Sequence, residues 1–200
     1  MLNKLRPEAN KITNQIGSKI NINPNIITIT GFLISLFACV LYANNYIIPG
    51  AIFIIISGGF DMLDGAIARS QQRKSPFGGF LDSVCDRFSD GVIIIGILYS
   101  GYIDPILACL AIMGSFTVSY TRSRAENAGI NCTVGIAERA ERLLIIVIGS
   151  FISALTGSHL ILYITIVILT VLSYITVLQR MYYTWANLEP KQVEEIFNEK

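Results

Sequence analysis

The sequence predicts an all-α, polytopic membrane protein: six transmembrane helices preceded by an amphipathic helix on the membrane surface. Three observations predict it. Hydrophobic residues make up 52% of the 200 residues and charged residues only 14%, well below the ~25% charged share of a soluble domain. Apolar runs approaching the ~20 residues that cross a bilayer recur along the chain. Every Lys and Arg falls in a segment that six crossings place on one side.

The same composition excludes other classes. A mean hydropathy of +0.57 is incompatible with a disordered chain. A net charge of +1 excludes a nucleic-acid binder driven by bulk charge. The cysteines, Cys39, Cys85, Cys109 and Cys132, lie far apart with no CxxC pair, so neither a disulfide scaffold nor a zinc knuckle is expected. Three of them sit in apolar runs and read as packing residues.

Residues 1–22 are polar and basic, with apolar positions at Leu2, Leu5, Ala9, Ile12, Ile16 and Ile20. That roughly helical spacing predicts a juxtamembrane helix lying in the interface. The segment lacks the apolar core and small-residue cleavage site of a signal peptide. Asn23-Pro24-Asn25 then starts the first spanning helix, since proline suits a first turn. The six apolar runs are Ile26–Ala43, Ile47–Arg69, Phe77–Ser100, Pro105–Arg124, Arg139–Leu155 and Leu160–Trp185. Asn44-Asn45, Gly101 to Pro105 and Thr156-Gly157-Ser158 are the turn signals between pairs. Strands are not expected, because the runs are long and do not alternate, and an open sheet cannot span lipid. Residues 23–187 thus form one six-helix domain, and 188–200 an acidic, solvated tail.

Charge sets the orientation. With a cytoplasmic N-terminus, the turns near 44–46, 101–104 and 156–159 lie outside and contain no Lys or Arg; all 15 fall inside. The Asp and Glu residues sort the same way, Asp104 alone lying in an outer turn. Acids at helix ends are expensive against lipid, so they are expected to face the bundle interior or a water-filled cavity.

The densest cluster is Asp61 and Asp64, then a short basic loop, then Asp82 and Asp86. Spacings of i,i+3 and i,i+4 put each pair on one helix face, and the loop is short enough for a tight reversal that brings the pairs together. Four converging carboxylates repel one another unless cations neutralise them. Their oxygens suit hard divalent ions such as Mg²⁺ or Mn²⁺, and paired ions clamp a diphosphate for displacement. The other reading is a set of capping acids paired with Arg69, Arg73, Lys74 and Arg87. Gly65, Ala68, Gly78 and Gly79 leave the neighbouring surface nearly bare, which serves close helix packing or a ligand lying against backbone.

The pattern D-x2-D-G-x2-A-R-x8-G-x3-D-x3-D resembles the signature of the CDP-alcohol phosphotransferases. Here it reads Asp61, Asp64, Gly65, Ala68, Arg69, Gly78, Asp82, Asp86, without departure. The resemblance implies metal-dependent transfer of a substituted phosphate from a CDP-linked lipid to a polar alcohol, with release of CMP. It implies that Asp61, Asp64, Asp82 and Asp86 hold two Mg²⁺ or Mn²⁺ ions, and that Asp86 is the general base. Gly65, Ala68 and Gly78 would make room for the cytidine, Asp61, Asp64 and Asp82 would face the donor diphosphate, and Arg69 would fix the nucleotide. The resemblance further implies a homodimer in the cell membrane, with its active site facing the cytoplasm.

A second basic cluster contains Arg122, Arg124, Arg139, Arg142 and Arg180. Guanidinium groups suit phosphate; positive-inside anchoring and Arg–Glu pairing are the plainer reading. Tyr120-x-Arg122-x-Arg124-Ala125-Glu126 and Glu138-Arg139-x-Glu141-Arg142 resemble the phosphatidylinositol-phosphate synthase branch, which includes archaeal enzymes acting on ether lipids. That likeness implies inositol 1-phosphate as acceptor, its phosphate held by Arg122, Arg139 or Arg142, and Arg180. Glycerol 3-phosphate, serine and inositol remain alternative acceptors for the same chemistry. A cation transporter using the aspartates is the alternative of a different class; it predicts mid-membrane charge and repeated halves, and the sequence shows neither.

Overall fold

In a computed structural model, the residues described are Thr13, Gly17, 22–72 and 75–188. They contain six long helices: α1 (Pro24–Ala43), α2 (Ile47–Ser70), α3 (Pro76–Tyr99), α4 (Pro105–Asn127), α5 (Arg139–Thr156) and α6 (His159–Asn187). No strand occurs among the described residues. The interfacial helix expected within 1–22, Arg73 and Lys74 of the basic loop, and the tail from 189 onward lie outside the described residues, apart from Thr13 and Gly17.

Three helices begin with the same device. Asn23, Ser75 and Asp104 each accept a backbone N–H from the first turn, and proline follows in each case. The cap satisfies an orphan donor, while proline has no N–H to orphan. This is why α1 starts at Pro24, two residues before its apolar run. The turns between α1 and α2, α3 and α4, and α5 and α6 use left-handed backbone at Asn45, Gly101 and Gly157, with φ of 65°, 82° and 65°.

α1 packs against both α2 and α3, α4 against α3 and α6, and α5 against α2 and α6. The core between them includes Ala38, Tyr42, Ile54, Ile93, Ile97, Ala111, Ile146, Leu162, Ile166 and Leu169. Two crossings depend on glycine. A Cβ on Gly96 would sit 2.6 Å from the Cys39 carbonyl oxygen of α1, and one on Gly149 of α5 would collide with Thr165 of α6. Hydroxyls stitch the same contacts: Tyr42 and Ser150 meet at 2.7 Å, Ser35 donates to Ser89 at 3.0 Å, and Ser57 donates to the Gly31 carbonyl at 2.9 Å. Small residues and interhelical hydrogen bonds are how helices associate where lipid offers no hydrophobic drive.

α1, α2, α4 and α6 are each long and apolar enough to cross a membrane. α3 and α5 fall short of that measure because of charge: α3 carries Asp82, Asp86, Arg87 and Asp90, and α5 opens with Arg139, Glu141 and Arg142. Those charges are the site.

Candidate functional site

The C-terminal half of α2 and the N-terminal half of α3, helices that both pack on α1, are joined by a short reversal, and Asp61, Asp64 and Asp82 converge between them. Asp61, Asp64 and Asp82 each offer a carboxylate oxygen within 4.8 Å of the other two. Asp64 is buried and accepts a hydrogen bond of 2.6 Å from the Thr28 hydroxyl of α1. Beside them is a cavity of about 10 Å³ whose lining includes Thr28, Ser57, Asp61, Asp64, Asp86 and Arg139. That is space for one water; nearby on α3, Gly79 has nothing within 4 Å of a built Cβ.

Asp86, the fourth predicted acid, is turned toward an arginine. Arg139 Nη1 lies 2.8 Å from Asp86 Oδ1 and 2.9 Å from Asp61 Oδ2. Arg139 Nε lies 3.3 Å from Asp90 Oδ1, and Arg142 Nη2 lies 2.6 Å from Asp90 Oδ2. Ser115 of α4 donates to the same Asp90 oxygen at 3.0 Å. Arg87 is 3.8 Å from Asp86 and also donates to the Ser83 carbonyl. Asp61, Asp86 and Asp90 thus share Arg87, Arg139 and Arg142. An all-oxygen donor set with uncompensated negative charge fits a hard divalent cation.

The predicted acceptor-site arginines separate. Arg122 is partly exposed at the end of α4 and pairs with Glu126 at 2.8 Å. Arg139 stands among the aspartates, as described. Arg142 is 3% exposed and spends its guanidinium on Asp90 and on the Ala137 carbonyl. Arg180 is 2% exposed and donates to the backbone carbonyls of Val134 and Val118. Neither Arg142 nor Arg180 presents its guanidinium to an open surface. Burial has turned both toward internal acceptors, because a desolvated guanidinium needs every N–H satisfied.

Among the predicted nucleotide residues, Gly65 lies under Arg69: a Cβ there would be 3.1 Å from Arg69 Nη1. Ala68 lies half-buried on α2 between the two in sequence. Gly78 is needed locally, since a Cβ would come within 3.1 Å of Ser75 Oγ and Asn25 Oδ1. Sequence reasoning missed Thr28, Asp90 and Ser115. Asp90 had a signal, being the third step of a four-residue repeat after Asp82 and Asp86. Thr28 and Ser115 are single hydroxyls in apolar helices and had none.

The model of the family described as CDP-alcohol phosphatidyltransferase matches residues 21–183. The chain belongs to this family. It is accordingly a metal-dependent transferase of substituted phosphate groups and a multi-pass membrane protein. Among family members, archaetidylinositol phosphate synthase of Methanothermobacter thermautotrophicus is 44% identical over 189 residues, covering 94% of this chain and 96% of that protein. The crystal structure of Mycobacterium tuberculosis phosphatidylinositol phosphate synthase with CDP-DAG bound superposes with a TM-score of 0.77 at 31% identity, covering 88% of this chain and 94% of that one. The same enzyme in complex with manganese and citrate gives 0.76 at 30% identity, covering 86% and 88%.

Proposed function

We propose that this CDP-alcohol phosphatidyltransferase makes an inositol phospholipid, moving a phosphatidyl- or archaetidyl-type group from a CDP-lipid to inositol 1-phosphate with release of CMP. The observation that carries the reading is the convergence of Asp61, Asp64 and Asp82, with Asp86 beside them, at one end of the bundle. The acceptor is supported by relatives named for inositol phosphate products. The active site faces the cytoplasm, because the described basic residues Arg69, Arg87, Arg122, Arg124, Arg139, Arg142 and Arg180 share its end of the bundle.

Asp61, Asp64, Asp82 and Asp86 are the residues that would hold Mg²⁺ or Mn²⁺, a pair of ions in this reading. A metal held by these carboxylates would supply positive charge against the donor diphosphate and the departing CMP. Thr28 fixes the Asp64 carboxylate. The lipid tails of the donor stay between helices in the bilayer, while its diphosphate reaches the carboxylates and its cytidine lies along Gly65, Ala68 and Gly78 beside Arg69. Asp86 accepts the proton of the acceptor hydroxyl, whose oxygen attacks the phosphorus bearing the lipid. A new O–P bond forms, the bond to the CMP oxygen breaks, and its electron pair leaves with CMP.

In this reading Arg122, partly exposed, and Arg139, beside the aspartates, meet the acceptor phosphate. Arg142 and Arg180 hold the frame on which they stand, the segment 128–138 between α4 and α5. The protein works as a homodimer in this reading. The test is CMP release from a CDP-lipid in detergent with Mg²⁺, offering inositol 1-phosphate, glycerol 3-phosphate, serine or inositol in turn. Product with inositol 1-phosphate alone is expected. Preference for another alcohol overturns the acceptor, and metal-independent or absent CMP release overturns the reaction.

A further inference from the structure

The Arg139 guanidinium stands where a metal ligand set needs a cation. Its Nη1 bridges Asp61 Oδ2 on α2 and Asp86 Oδ1 on α3, at 2.9 and 2.8 Å. Asp61 is shared, because it also offers an oxygen to the cluster with Asp64 and Asp82. The other side of the guanidinium is tied down. Arg139 Nε is 3.3 Å from Asp90, which is itself fixed by Arg142 at 2.6 Å and by Ser115 at 3.0 Å. Arg142 in turn donates to the Ala137 carbonyl one turn away at 3.1 Å. Arg139 thus has one fixed partner, Asp90, outside the eight-residue motif, and two partners inside it.

We infer that Arg139 is the resident counter-cation of the aspartate site, holding Asp61 and Asp86 together before a divalent ion binds and yielding both oxygens when it does. The inference rests on the reading of the aspartates as a divalent-metal site. Without a cation, acids converging from two helices push those helices apart. With the guanidinium between them, the site stays assembled. An ion at Asp61 and Asp86 would compete for the oxygens that Nη1 occupies and would face a like charge at contact distance. The buried Asp90–Arg142 pair does not compete with metal, so Arg139 keeps its Nε anchor while its Nη groups turn away. The exchange is one of ion pairs only; no covalent bond changes. Whatever favours the metal-free ion pair subtracts from apparent metal affinity.

The test uses the full chain in detergent and Mn²⁺ alone as the probe, titrated calorimetrically. Arg139→Gln is expected to bind Mn²⁺ about tenfold more tightly than the unsubstituted chain. The metal-free variant is expected to melt lower than the metal-free parent, and Mn²⁺ should close that gap. An arginine with a merely structural role would lower melting with and without Mn²⁺ and would leave affinity unchanged or weaker; that result overturns the inference. Should Arg139→Gln fail to fold without metal, Arg139→Lys is titrated instead. A single ammonium cannot reach Asp90 and both motif acids together, so about a threefold gain is expected, and equal affinity overturns the inference. A parent chain that binds no Mn²⁺ removes the metal site itself. A parent that binds Mn²⁺ and releases CMP, with no gain in the variants, removes only the counter-cation.

Discussion

The Thr28 hydroxyl donates to Asp64 Oδ2 across 2.6 Å, from a helix that carries no acid of its own. That bond points a buried carboxylate toward Asp61 and Asp82 and joins α1 to the site. Partners that orient metal ligands typically change affinity 10- to 100-fold when removed. Thr28→Val keeps the side-chain shape and deletes the donor. The Mn²⁺ concentration giving half-maximal CMP release should rise about tenfold or more, with folding intact by size-exclusion profile. An unchanged metal dependence would mean that packing alone aims Asp64.

Asp86→Asn removes the proposed base while keeping size and one acceptor oxygen. Proton transfer by a positioned group contributes roughly 10²- to 10⁴-fold, so kcat should fall at least a hundredfold. Binding of CDP-lipid, followed by its protection against thermal unfolding, should persist because Asp61, Asp64 and Asp82 remain. Turnover near the parent rate would reassign the base.

The motif aspartates were legible because helical spacing and a short loop leave few arrangements open. The start of α1 was legible for a similar local reason, since Asn23-Pro24 suits a first turn; Ser75-Pro76 and Asp104-Pro105 turn out to use the same device. The arginines were not separable. Arg122, Arg139, Arg142 and Arg180 look alike in sequence, all basic and all near the ends of long apolar helices. What divides them is depth. Only packing decides that Arg180 reaches Val118 and Val134, while Arg139 reaches Asp61 and Asp86. Thr28 and Ser115 were hidden because a lone hydroxyl in an apolar helix ordinarily bonds its own backbone, and the acid each one meets comes from another helix.

The Asp90–Arg142 pair is buried, so removing one partner strands the other. Breaking such a pair costs about 3–5 kcal/mol, whereas replacing both partners with apolar groups is often near neutral. Arg142→Met should therefore destabilise the detergent-solubilised chain strongly. Combining it with Asp90→Leu should recover most of the melting temperature. The double variant should still lose activity, because Arg139 then lacks its Nε anchor. A single substitution that leaves melting unchanged would show that water reaches Asp90.

Arg122 and Arg180 offer the sharpest contrast, since the sequence proposes the same role for both. Arg122 is partly exposed and pairs with Glu126, one turn along the same helix. An exposed i,i+4 pair contributes only about 0.3–0.5 kcal/mol, so Arg122 exchanges Glu126 for an incoming phosphate at little cost. Arg122→Ala should raise the KM for inositol 1-phosphate about tenfold or more, a loss typical of a charge-assisted hydrogen bond. It should leave the KM for CDP-lipid and the melting temperature nearly unchanged. Arg180 is buried beneath the segment 128–138 and is bonded to two backbone carbonyls there and on α4. Arg180→Ala strands those acceptors and opens a void beside Gly135. Melting should fall, and the KM values for both substrates should move together, because the displaced segment leads into α5 and Arg139. Equal KM effects at Arg122, or an acceptor-only effect at Arg180, would exchange the two assignments and place the phosphate deeper in the bundle.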